Sequence, residues 1–271
     1  MAINNINTFI TDRVLRFNMM NQGNRSELFW SLTQVTDPSL TFETESQEIT
    51  DAIGNTVANI DKSKKGTFSG SNAFFDMSLF AAQHGTEKVT GSTSSKIITP
   101  CFEIITATDS DSDGTMDLVT LGHTPSNDAE IKAIYALNGD DTLSTKITRD
   151  TTAGAGKFAL SADSLTLPTD AVAGNEYFIQ YEYEAESGVS VTAKATEFPK
   201  AGYGIMEVLG FDVCNQSEKI YAYWIFPNAK LKSDAELSFA SDAQTHPFTI
   251  DLRQEYCDRE KVLAKLVIPE Q

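Results

Sequence analysis

Four aspartates crowd the segment TDSDSDGTMD, and their spacing is that of a cation loop. Asp109, Asp111, Asp113 and Gly114 match the first half of an EF-hand loop, and Asp117 takes its ninth position. Carboxylates this close repel one another unless a cation or water screens them, so Ca2+ is the ligand to consider. The twelfth position is Thr120 rather than glutamate, which removes the bidentate carboxylate, and the flanking segments read as strands rather than helices. Two readings stand, a Ca2+ loop of non-EF type and a solvated hairpin tip, and the missing glutamate favours the tip. No other cofactor is expected.

Catalysis needs a base, a nucleophile or a metal in a converging group. His84, His123 and His246 fall at a helix end, in a turn and before a proline, none with a partner at a meaningful spacing. The chain holds no GxSxG elbow, HExxH pair, Walker loop or GxGxxG turn. No active site is expected, and the chain does not read as an enzyme. Cys101, Cys214 and Cys257 are odd in number, far apart and without CxxC spacing, so free thiols are expected.

With 21 basic and 38 acidic residues the formal net charge is −17, which excludes nucleic-acid binding by phosphate neutralisation. The three lysines of DKSKKG (61–66) are too few to change that and read as a solvated turn between strands. Asp12 and Arg13 interrupt the N-terminal segment before an apolar run forms, so no signal peptide is expected, and no stretch has the length of a membrane span. The expected place of synthesis is a cytoplasm.

The elements that must position these groups are short strands. Segments rich in Val, Ile, Thr, Phe and Tyr recur between Gly, Asn, Asp and Pro clusters: 13–20, 39–47, 101–108, 116–122, 176–185, 219–226 and 261–268. Over 72–85, Phe75, Leu79 and Ala82 form an i, i+4, i+7 stripe that ends at Gly85, which predicts one helix, and a weaker candidate spans Asp251–Glu260. The run YAYWIFP (221–227) has apolar residues on both faces, which predicts a strand covered on both sides, by the core or by a neighbouring subunit. The stretch from about Ile98 to Ser187 has its own strands and polar turns, bounded by GSTSSK (91–96) and ESG (186–188). The expected fold is mainly β, with a discontinuous outer domain (1–97 and 188–271) and a small inserted β-sandwich (98–187).

Two blocks carry a resemblance. ITDAIGNTVANIDKSKKGTFSGSNAFFDMSLFAAQHG (49–85) resembles the strand, hairpin and short-helix region of phage major tail tube proteins. In these a DAxGN-type turn precedes a long β-hairpin and then a helix. IYAYWIFPNAKLKSDAELSFASDAQTHPFTIDLRQEYCDREKVLAKLVIP (220–269) is similar to their closing region. The resemblance implies a β-sandwich or barrel-like subunit that assembles into hexameric rings, stacked as a virion tail tube made in the host cytoplasm. It also implies other tail proteins as partners, DNA passing through the lumen without specific binding, no membrane and no catalytic residues. Family members often carry an immunoglobulin-like domain near the C-terminus, whereas here the extra domain is inserted.

On this reading the hairpin segment 55–72, with Thr67 and Ser69, contributes to assembly, and alternate carboxylates on inner strands, Glu43, Glu45 and Glu236, line the lumen. Another virion component, such as a capsid decoration or head–tail connector protein, has the same composition without the tubes. A carbohydrate-binding β module requires aromatics exposed in a groove, whereas most aromatics here fall inside apolar strands.

Overall fold

The computed structural model describes residues 8–126, 131, 133–213, 217–234, 236–237, 245–255 and 259–269. The chain divides into two compact units, Met1–Lys88 with Val191–Gln271, and Val89–Ser190. In chain order the first unit opens with β1 (Phe9–Asn21), β2 (Leu28–Leu32), β3 (Val35–Thr50), β4 (Thr56–Asn72) and α1 (Met77–Gln83). The second unit holds β5 (Val89–Thr90), β6 (Ile97–Thr106), β7 (Val119–Thr120), β8 (Ala133–Leu137), β9 (Leu143–Arg149), β10 (Lys157–Ser161), β11 (Ser164–Thr166), β12 (Glu176–Ala185) and β13 (Val189–Ser190). The first unit closes with β14 (Ala201–Asp212), β15 (Lys219–Leu231), β16 (His246–Leu252) and β17 (Lys265–Val267). The protein is mainly β, as its strand-forming segments predict.

In the first unit a single sheet runs β2-β1-β14-β15-β16-β4-β3, with β17 paired to β15, and it curls into a nearly closed barrel. The curl is visible in the rings of Phe17 on β1 and Phe68 on β4, four places apart in that order, which stack at 5.3 Å. Phe226 on β15 completes a triangle with them at 6.3 and 6.2 Å, and Phe248 on β16 lies 5.5 Å from Phe68. Every second residue of β16, from His246 to Leu252, is buried in this core. Gly204 on β14 leaves room for it, since a Cβ there would stand 3.1 Å from the Phe17 ring.

α1 covers one side of this core with Leu79, which is wholly buried. Asp76 caps its start, its carboxylate accepting from the amides of Ser78 (2.7 Å) and Leu79 (2.9 Å). At its end Thr86 donates to the Ala81 carbonyl and Gly85 to that of Ala82, a Schellman closure. Gly85 has φ +67, and a Cβ there would strike the Phe198 carbonyl, so both the turn and the packing require glycine. The helix is shorter than the predicted 72–85, because the cap at Asp76 starts it late. The second predicted helix is replaced by strand where it begins: Asp251 and Leu252 continue the two-residue alternation of β16. Residues 253–255 are irregular, and 256–258 lie outside the described residues.

Within the chain, the core covers one face of β15. Ala222 and Phe226 are buried in the core, while Tyr221, Tyr223 and Ile225 on the opposite face are only half-buried.

The second unit is built on a sheet of order β6-β12-β8-β9-β10-β11-β7 around Ile134, Phe158, Leu165, Ile179 and Tyr181. β12 covers the predicted 176–185, with Tyr177, Ile179 and Tyr181 buried in alternation. The predicted strand 116–122 shrinks to β7, because Asp117 belongs to the aspartate loop. β5 and β13 pair across the two ends of this unit, Val89 opposite Ser190 and Thr90 opposite Val189.

Candidate functional site

The largest unpartnered feature of the first unit is the far half of the hairpin of β3 and β4. The near half of β4, Gly66–Asn72, lies between β16 and β3, with Phe68 on the core. Beyond it, residues 41–65 are exposed on both faces. Among the described residues, β3 is the sole neighbour of Thr56–Lys65, and no strand pairs with the outer edge of β3. The ten steps from Leu40, which packs on the core, to Thr50 carry this arm about 33 Å outward at about 3.3 Å per residue.

A tight turn closes the arm. The Asp51 carboxylate accepts from the amides of Ile53 (2.9 Å) and Asn55 (2.8 Å), and Gly54 takes φ +91. These bonds, that of Asn55 first, hold the Asp51 carboxyl below the usual carboxylate range. Ile53 points out of the turn and is 86% exposed, with Val57 at 67% and Ile60 at 52%. Periodicity does not mark this apolar surface, because the arm has no buried face against which an exposed one stands out. The DAxGN turn is the available sequence signal.

Glu43 and Glu45 stand on the sheet face opposite the core, since their register partners Lys65 and Ser63 alternate with core-facing Phe68. Glu45 accepts from the Ser63 hydroxyl (3.0 Å) and lies 3.9 Å from the Lys65 ammonium. Register places Thr41, Thr67, Asp251 and Lys230 in one row of that face, and Ser69 opposite Thr249 in the next. Over β3, β4 and β16 this face is thus polar with both signs of charge. Thr67 and Ser69 lie at the base of the arm, not on its free part. Glu236 is exposed, but it lies on irregular chain rather than a strand, so strand alternation does not orient it.

In the second unit Asp109, Asp111 and Asp113 bring their carboxylates within 4.8 Å of one another. Backbone amides occupy them: Asp109 accepts from Asp113 (3.2 Å) and Gly114 (3.0 Å), and Asp113 accepts from Thr115 (2.7 Å). Asp117 is drawn away, accepting from the Ser110 amide and hydroxyl at 3.1 Å. Those bonds, the hydroxyl's first, hold its carboxyl below the usual range.

No histidine meets a nucleophile at hydrogen-bonding distance among the described contacts. His84 packs edge-on against Phe80, and His123 stacks on Tyr183 at 3.8 Å. His246 is buried, its Nε2 2.8 Å from the Gln83 Oε1 and its Nδ1 accepting from the Asp76 amide. The buried Tyr181 hydroxyl donates to Glu103, which also accepts from the Gly122 amide (3.1 Å). Burial first, then this carboxylate, raises the phenol well above its ordinary value. This network, spanning residues 78 apart, has no local sequence signal. Cys101 is a free thiol, whereas Cys214 and Cys257 lie outside the described residues.

No helix among the described residues is long and apolar enough to cross a membrane. No curated protein matches the chain. The model of the YomU/Tube protein family matches residues 8–263, nearly the whole length. By that match, and with a barrel-like sheet that extends an unpartnered hairpin, the chain belongs to the YomU/Tube protein family, a family of phage tail tube proteins.

Proposed function

We propose that the chain is a structural, non-catalytic subunit of the tail tube, which assembles with copies of itself into hexameric rings stacked around a lumen for DNA. The observation that carries this reading is the arm of residues 41–65, exposed on both faces and bare along two strand edges. Bare edges of this length are templates for pairing with another chain, and an isolated two-stranded ribbon is marginal in water. Pairing between copies supplies the missing neighbours. The polar face with Glu43, Glu45, Thr67 and Ser69 then lines the lumen, and the half-buried Tyr221, Tyr223 and Ile225 meet a neighbouring subunit.

The second unit is an immunoglobulin-like insertion that the tube does not need, with its ends brought together by the β5–β13 pair. Other tail proteins join the ends of the tube, the assembled protein resides in the virion, and synthesis takes place in the host cytoplasm.

Electron microscopy and sedimentation of the purified chain at micromolar concentration test this reading. Rings or tubes are expected. Monomers at every concentration overturn it, and closed shells or capsid-bound copies without tubes favour a decoration or connector protein.

A further inference from the structure

The charge of the chain is unevenly placed. Residues 89–190 hold 16 of the 38 acidic and 5 of the 21 basic residues, so −11 of the net −17 falls on the second unit. Within that unit the strand register gathers much of it at one end. Thr106 of β6 stands opposite Glu176 of β12, and Tyr177 opposite Ala136 of β8, so the stretches 107–118, 138–142 and 167–176 leave the sheet together. They contain eight carboxylates, four of them in the loop from Asp109 to Asp117, and no Lys or Arg. The chain enters and leaves this unit at the opposite end, where Ile97 faces Ala185 beside the β5–β13 pair, about 30 Å away along β6. Toward that end the charges are paired, Lys96 with Glu184 (3.2 Å) and Glu186 (3.5 Å), and Lys157 with Asp150 (2.6 Å). We propose that the acidic free end of the second unit is an electrostatic spacer, which holds one assembly of the chain apart from the next; the inference rests on the self-association proposed above.

Neutral donors hold these carboxylates and leave their charge in place. Asp113 accepts from the Thr115 amide (2.7 Å), Asp140 from the Thr142 hydroxyl (2.6 Å) and Asp170 from the Gly156 amide (2.8 Å). The bonds from Thr142, the hydroxyl's first, hold the Asp140 carboxyl below the usual carboxylate range, so it stays ionised at neutral pH. Like charges gathered in this way repel the same end of another copy within a screening length, about 10 Å at 0.1 M salt.

An attraction for this repulsion to oppose is present in the same unit. Among the described residues no strand pairs with the outer edge of β6, and Ile98, Phe102 and Ile104 on it are each more than half exposed. A bare apolar edge of ten residues is a template for pairing with its like when copies meet.

Light scattering and electron microscopy of assembled tubes across a salt series test the inference. Wild-type tubes are expected to stay dispersed at low salt and to bundle side by side as added salt screens the carboxylates. Two variants remove equal charge from separate places: Asp109→Asn with Asp111→Asn and Asp113→Asn, and Asp140→Asn with Asp141→Asn and Asp170→Asn. Each is expected to keep the wild-type circular-dichroism melt and to bundle at a salt concentration lower by about twofold or more. The same six positions changed to glutamate keep the charge and the wild-type threshold. A shift confined to the first variant, thresholds equal to that of the wild type, or wild-type tubes that bundle at no salt concentration overturn the spacer and leave self-association standing. A wild-type chain that never associates overturns both.

Discussion

His246 and Gln83, 163 residues apart in the chain, meet at 2.8 Å between Nε2 and Oε1, and neither side chain is accessible to solvent. The Gln83 amide donates onward to the Pro247 carbonyl at 2.9 Å, so the contact fastens the end of α1 to β16. Because the Asp76 amide donates to Nδ1, the ring proton is assigned to Nε2, where it points at Gln83. A second proton on Nδ1 would face that amide, donor against donor.

This makes stability depend on pH. Burial pushes His246 below the ordinary histidine value, against the opposing pull of Asp76, and His84 adds to the depression. The unfolded chain therefore takes up this proton more readily than the folded one. The stabilisation is complete above about pH 6.5, the unfolded value, and is lost as pH falls from there toward the lower folded value. One such group contributes a slope of up to about 1.4 kcal/mol per pH unit in that window. Denaturant titrations of the wild type and of His246→Gln between about pH 7 and 5 check this. The slope is expected to flatten in the variant, and equal slopes would remove His246 as its source.

The arm is expected to matter for assembly and not for folding. Excising residues 46–61 removes rungs that touch nothing but each other, so the monomer's melting temperature should stay within a few degrees while rings disappear. Proline at Thr67 or Ser69 acts differently. Both residues sit between β3 and β16, so proline there breaks ladder bonds inside the subunit, at a cost of about 3 kcal/mol or more, and unfolds it along with the tube. Calorimetry beside electron microscopy separates the two outcomes, and rings formed by the armless chain would end the assignment.

What could be read in advance follows from what alternation encodes. In β12 it marks Tyr177, Ile179 and Tyr181 as one face, and that face is buried. In β15 it marks two apolar faces, yet Tyr221 and Ile225 remain half-buried, because periodicity says which residues share a face and not what covers it. Val57 and Ile60 escape notice for the same reason. Asp117 fits the spacing of a cation loop, but spacing carries no information on the Ser110 hydroxyl that draws it off. The His246–Gln83 and Tyr181–Glu103 contacts are tertiary, so no window of sequence contains them.

Excision of the second unit should leave the rest intact. Val89 stands directly opposite Ser190 in an antiparallel pair, which places the two ends about 5 Å apart. A chain in which two glycines join Lys88 to Val191 is expected to fold and form rings. Loss of the folded state, read by circular dichroism, would make this unit part of the subunit's own fold.

The last prediction concerns the face opposite the core. If it lines a channel for DNA, its charges act on phosphates only within about 10 Å, the screening length at moderate salt. Glu43 and Glu45 stand on that face beside Lys65, and Lys230 and Asp251 share a row of it, so the wall is near balance rather than uniformly negative. A balanced wall neither holds nor strongly repels the polymer, and a small change of charge tips it. Replacing Glu43 and Glu45 by lysine turns that patch basic in each subunit. Assembly should be nearly unaffected, because the Glu45–Lys65 pair is exposed, and exposed pairs contribute about 0–1 kcal/mol. Genome ejection from virions carrying the double variant should slow or stop, since clustered lysines neutralise phosphates and retain DNA, and added salt should restore it by screening. Ejection at the wild-type rate in low salt would show that these carboxylates do not face the DNA and that the acidic excess serves solubility.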